Sequence, residues 1–216
     1  MTYDIVLIGN YTKDTIVTPD GVRQVDGGGF NYGAHVAAMM GLKTAAVTRL
    51  AAEDRRVVER LQQLGVTVYP VWTPASTCLE LRYPTPDPDQ RTITVSASAG
   101  PFTVDQVRTL SARAFLLNGS FRGEIPLEVL AELRRKAALL AADLQAFLRE
   151  VGPDGVLRVT PWPERDAVLS QLDVLKADAV EAEALTGERD PAAAACRIAG
   201  WGPREIVITH RDGVLV

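Results

Sequence analysis

Apolar strands and amphipathic helices alternate along most of this chain, and that alternation restricts its fold more than any other feature. "DIVLIGN" (4–10), "KTAAVTRL" (43–50), "AFLLNGS" (114–120) and "AALLAADLQ" (137–145) are near-continuous apolar runs. Runs of this kind belong to strands buried on both faces of a sheet. Between them lie segments of helical period. "EDRRVVERLQQLG" (53–65) sets Val57, Leu61 and Leu64 on one face and stops at Gly65. Thr103 and Gln106 have the spacing of a capping box, and a helix starting at Pro126 is predicted to bury Leu127, Leu130 and Leu133. "VLKAD", "EAEALTG" and "REIVITH" repeat the alternation. The prediction is an α/β fold: a mostly parallel central sheet flanked by helices, with ligands bound beyond the carboxyl ends of its strands.

Two stretches break the pattern. Residues 15–25 read as two short strands around Pro19-Asp20-Gly21, and 76–98 alternate polar and apolar residues on both sides of a proline-rich turn at 86–91. Both are signatures of antiparallel hairpins with one face exposed. They are predicted to form a small β-sheet lid on a single domain spanning 1–216. A sheet through which two copies pair would carry the same pattern.

Composition excludes several roles. With 216 residues, 47% hydrophobic and a net charge of −4, the chain has a sizeable core and no excess of basic residues for nucleic acid or a membrane surface. No apolar run approaches the roughly 18 residues that span a bilayer. Cys78 and Cys196 are its two cysteines, no disulfide framework, which suits a cytoplasmic setting. His35 and His210 lack the spacing of a metal site.

The most unusual local feature is "VDGGGFNYGAHVAAMMG" (25–41), three glycines before a helical run that Gly41 can cap. A glycine turn opening a helix means that some group must come close to the backbone. It is not a Walker loop, because Gly33 is followed by Ala34 rather than Lys. As a dinucleotide fingerprint it has Tyr32 where the third glycine belongs, and a polar strand precedes it. A plain tight turn remains open on these residues alone.

Four segments, in order, resemble the ribokinase-like (PfkB) carbohydrate kinases: "GNYTKD" (9–14), "GGGFNYGAHVAAMMG" (27–41), "LKADAVEAEALTG" (175–187) and "EIVITHRDGVLV" (205–216). "GNYxxD", an aromatic at Tyr32 and "ADLQAFLR" (142–149) are similar to the inositol-kinase branch. The resemblance implies an ATP- and Mg2+-dependent phosphotransfer to a hydroxyl of a small sugar or polyol. It implies substrate contacts by Asp14, Gly28, Gly29, Asn31 and Tyr32, with the glycines acting as the hinge of the lid. Asp143, Gln145, Asp178, Glu181, Thr209 and Gly213 are implied on the donor side, and Glu181 would act on Mg2+ through water. Two departures stand out: Tyr32 replaces an asparagine, and Asp178 replaces the first residue of an Asn-x-x-Glu segment. Glu181 and Glu183 also fall near a helix start, where acids are favoured anyway.

The family's glycine-rich anion hole and catalytic base would lie beyond Val216. Residues 1–216 alone are therefore expected to transfer no phosphate and to leave part of the sheet uncovered. A nucleoside kinase, a sugar-binding relative without catalysis, and pairing of two copies through the lid are the alternatives.

Overall fold

The computed structural model describes residues 2–87 and 90–216, so the tip of the 86–91 turn lies partly outside the described residues. In chain order the first half contains β1 (Tyr3–Ile8), β2 (Thr12–Thr18), β3 (Gly21–Gly27), α1 (Gly29–Met39), β4 (Thr44–Ala51), α2 (Arg55–Gln63), β5 (Thr67–Thr73), β6 (Thr77–Arg82) and β7 (Thr92–Ala97). Next come α3 (Val104–Val107), β8 (Ala112–Leu117), α4 (Leu127–Arg134), β9 (Leu139–Asp143), α5 (Gln145–Leu148), β10 (Arg149–Val151) and β11 (Leu157–Val159). The last stretch is α6 (Arg165–Leu169), β12 (Val174–Asp178), α7 (Ala179–Thr186), α8 (Pro191–Ala199), β13 (Glu205–His210) and β14 (Gly213–Leu215).

The central sheet runs β14-β13-β12-β9-β8-β1-β4-β5 and is parallel except at β14. Alternation along its strands feeds two cores. Leu7, Ala46 and Leu50 pack with Phe30 of α1 and Val57, Val58 and Leu61 of α2 on one face. Val6, Ile8, Val47, Phe115 and Leu140 pack with Val129, Leu130 and Leu133 of α4 on the other. Pro70 is tolerated because β5 is the sheet's edge, where a missing N–H breaks no ladder. On the face of β9, β12 and β13 away from α4, Ala141, Val174 and Val207 are half-buried.

The lid is a separate four-stranded sheet, β3-β2-β6-β7. Both predicted hairpins are present, and β2 pairs with β6 in parallel to join them. The capping box at Thr103–Gln106 also forms.

Three details differ from the sequence reading. Leu127 and Leu64 are 40% and 44% exposed, at helix ends that face solvent, while Val129 and Val58 fill the core positions. Gln145 begins the short helix α5 instead of extending β9. Residues 149–159, unassigned from sequence, form the antiparallel hairpin β10–β11, whose tip reaches the lid: Val95 N–H donates to the Gly155 carbonyl at 2.8 Å.

Candidate functional site

Under the lid, beyond the carboxyl ends of β8 and β9, lies a cavity of about 290 Å³. Thr12 and Asp14 of β2, Gly28, Gly29 and Tyr32 of the glycine turn and α1, and Asp143, Gln145 and Arg149 of the body all line it. Leu79, Leu81 and Ile93 of the lid form its apolar roof. Asp14, the last residue of "GNYTKD", lies not at the end of the first core strand but within the lid strand β2, paired in register with Val25 and Leu79.

Asp14 is the sharpest feature of the cavity. Its Oδ1 is buried and has no hydrogen-bond partner among the described residues. Burial pushes its carboxyl above the usual carboxylate range, with a hydrogen bond from Thr12 opposing. A buried acceptor left unpaired is costly, and a ligand that brings donors would complete it. Tyr32 is near enough that burial, and then the Asp14 charge, raise its phenol.

The three glycines now have separate reasons. A Cβ on Gly27 would stand 2.1 Å from Asp14 Oδ2, and one on Gly29 would stand 3.0 Å from the Asn118 side chain. Gly28 has φ +94°, and its Cβ would meet the Asn10 carbonyl at 2.7 Å. The groups that come close to this turn are Asp14 inside the cavity and Asn10, Asn118 and Phe30 beside it.

Arg91, Ile93, Arg149 and Leu157 are shared with a second, smaller cavity of about 150 Å³, which adds Arg158, Asp178 and Glu181. Asp178 and Glu181 form a capping box at the start of α7: Glu181 N–H donates to Asp178 Oδ1 at 2.7 Å, and Asp178 N–H to Glu181 Oε2 at 3.0 Å. Arg149 Nη2 donates to Glu181 Oε1 at 2.6 Å. Burial raises the Glu181 carboxyl, and the Arg149 guanidinium draws it back. Both Glu181 oxygens are thus engaged, one by a cation and one by a backbone amide. Direct coordination of a magnesium ion would compete with Arg149, whereas a contact through water would still find a lone pair on each oxygen. Among the described residues no cluster of three or more His, Cys, Asp or Glu has metal-holding geometry. Arginine supplies the positive charge in this cleft.

The remaining predicted residues distribute unevenly. Asp143 and Gln145, assigned from sequence to the donor side, line the same cavity as Asp14. Asp143 pairs with Lys176 at 3.2 Å, and Gln145 Nε2 donates to the Gly119 carbonyl. Asn31 is buried behind the wall, its Nδ2 3.4 Å from the Asp26 carbonyl. Thr209 lies beside Asp178 in register, and Gly213 opens the edge strand β14; neither borders the two cavities. Sequence reading missed Arg91, Ser120 and Arg149 as lining residues. Arg149 carried a signal, since it ends the "ADLQAFLR" segment six residues past the end of β9.

A parallel sheet, a sheet lid, and a cleft that holds the Asp14 carboxylate and two arginines make up a lidded α/β architecture. No family model and no curated protein matches the chain. Solved structures do. A sulfate complex of a pyrophosphate-dependent kinase in the ribokinase family is 33% identical, with a TM-score of 0.91 over 97% of this chain and 74% of that one. A pyrophosphate-dependent kinase of the same family, in complex with a pyrophosphate analog and myo-inositol, is 32% identical with a TM-score of 0.90 over the same shares. Arabidopsis thaliana ribokinase with ribose and ATP is 19% identical, TM-score 0.67, covering 97% of this chain and 72% of that one, and shares the fold alone. The chain belongs to the ribokinase family.

Proposed function

We propose that this chain binds a cyclic polyol of the myo-inositol type and takes part in phosphoryl transfer to one of its hydroxyls, with inorganic pyrophosphate as the donor. The observation that carries the reading is the orphaned Asp14 Oδ1 inside a cavity that also presents Tyr32, Gln145 and Arg149. A carboxylate can accept from two adjacent hydroxyls, and amide and guanidinium groups donate to others. The leucines and Ile93 of the lid cover the ring and exclude water, which otherwise competes for the phosphoryl group.

Phosphoryl transfer asks a protein mainly for positioning and for neutralisation of charge. Arg91 and Arg149 stand between the two cavities, and Arg158 borders the smaller one. Together they offer counter-charge to a short, highly anionic donor. The neighbours at 33% and 32% identity are pyrophosphate-dependent, whereas the ATP-bound neighbour shares 19%. We therefore assign pyrophosphate in place of the ATP that the sequence resemblance implied.

The lid's edge strand β3, exposed along residues 21–24, is the surface we propose for pairing with a second copy; analytical ultracentrifugation checks it.

The central reading is tested by calorimetry with myo-inositol, ribose and adenosine, together with transfer assays from pyrophosphate and from ATP. Binding of myo-inositol ahead of the other two supports it. A preference for adenosine, or no binding of any polyol, sinks it.

A further inference from the structure

Arg122 lies in the loop after β8 and borders neither cavity, yet its guanidinium is surrounded by backbone carbonyls. Nε donates to Phe147 O at 2.7 Å, Nη1 to Pro161 O at 2.9 Å, and Nη2 to Leu148 O and Thr160 O at 3.3 and 3.2 Å. Phe147 and Leu148 lead directly into β10, and Thr160 and Pro161 leave β11. One side chain therefore holds both ends of the hairpin. Its main-chain N–H donates to the Arg149 carbonyl at 2.6 Å. The Glu150 carboxylate stands 3.5 Å from Nη1 and balances the charge.

The hairpin so held begins with Arg149, which lines both cavities and whose side chain is 14% exposed. Its other end touches the lid through Gly155 and a Thr94–Val156 bridge. Only a planar fork with donors in several directions satisfies four carbonyls at once. A lysine there keeps the charge and loses the fork.

We propose that Arg122 is a positioning residue for Arg149: it fixes the base of the β10–β11 hairpin and thereby holds the Arg149 guanidinium at the junction of the two cavities. This rests on the reading of the cleft as a ligand site. A staple that served the fold alone would change thermal stability and leave ligand affinity untouched.

The test is a double-mutant cycle on the full chain with Arg122→Ala, Arg122→Lys, Arg149→Ala and the combined variants. Myo-inositol and inorganic pyrophosphate are titrated separately, below the melting transition of every variant. Arg122→Ala is expected to weaken, by about ten-fold or more, the same ligand that Arg149→Ala weakens, and to add nothing in the Arg149→Ala background. Arg122→Lys is expected to behave as Arg122→Ala does, and it carries the comparison where the alanine variant fails to fold. Wild-type affinity in a folded Arg122 variant, or a loss that adds in full to that of Arg149→Ala, overturns the proposal. If Arg149→Ala alone leaves both affinities unchanged, the cleft reading falls, and the positioning role falls with it.

Discussion

Asn10 Nδ2 lies 2.7 Å from Glu124 Oε1, and this bond ties the chain entering the lid to the loop that borders the cleft. The same Asn10 amide donates to the Gly100 carbonyl, where the chain leaves the lid. Glu124 Oε2 accepts from the Ser120 N–H at 2.6 Å, and Ser120 lines the larger cavity. One buried carboxyl thus fastens two lid connections and one cavity wall.

That carboxyl gives the fold a pH dependence. Burial raises Glu124 from 4.5 to about 7, with its hydrogen bonds from Ser120 and Asn10 opposing. Between those values the folded chain holds a proton that the unfolded chain has released. Its contribution is therefore full below the unfolded pKa and is lost as pH rises through the folded one. The slope reaches at most about 1.4 kcal/mol per pH unit. Urea unfolding between about pH 5 and pH 8 should show this loss, and Glu124→Gln should flatten it. Parallel pH profiles for the two proteins would remove Glu124 as the cause.

Asp14→Ala should separate binding from folding. Burial disfavours the ionised Asp14, so its removal is expected to leave the melting temperature unchanged or to raise it. Myo-inositol affinity should fall by about 2 kcal/mol or more, roughly thirty-fold. Undiminished affinity in a folded variant would take Asp14 out of the acceptor site.

Gly27→Ala tests the same carboxylate from the other side. The added methyl would stand 2.1 Å from Asp14 Oδ2 and 2.4 Å from Thr12 Oγ1, so the Asp14 carboxylate must turn away. Overpacking of this kind costs about 1–3 kcal/mol of stability. The expected signature is a folded protein with an acceptor affinity close to that of Asp14→Ala. Retention of wild-type affinity would mean that Asp14 has room to spare.

Hydrogen exchange reports on the lid. Amides of β2, β3, β6 and β7 are expected to exchange faster than those of β1 and β8, and to slow when myo-inositol is added. The Val95 amide, bonded to the hairpin tip, should be the best-protected in β7. Uniform protection of lid and core, unchanged by ligand, would show that the lid sheet does not move.

The core strands were legible because burial on both faces writes itself as contiguous apolar residues, as in "DIVLIGN" and "KTAAVTRL". The lid hairpins were legible from alternation and from turns such as Pro19-Asp20-Gly21. The β10–β11 hairpin carries a similar Pro153-Asp154-Gly155 turn, but its strands are three residues each, too short for a period to register. In "SFRGEIP" nothing local distinguishes Arg122 and Glu124 from surface charges; only packing against the hairpin and the lid connections half-buries the first and buries the second. Glu181 was visible as a motif, but its Arg149 partner lies 32 residues away, and that pair changes what the carboxylate can hold.

The chain passes between body and lid four times, at 9–11, at 28, at 74–76 and at 98–103. All four leave the sheet at one end, because Thr12 pairs with both Gly27 and Thr77, and Cys78 beside Thr77 pairs with Ala97. The lid is thus a drawbridge: its hinge line runs along these connections, and the Pro19-Asp20 turn lies at the free end. The shortest connection is the single residue Gly28, so the hinge is tightest beside Tyr32. Asp14 stands two residues from that line, so it travels little when the tip lifts.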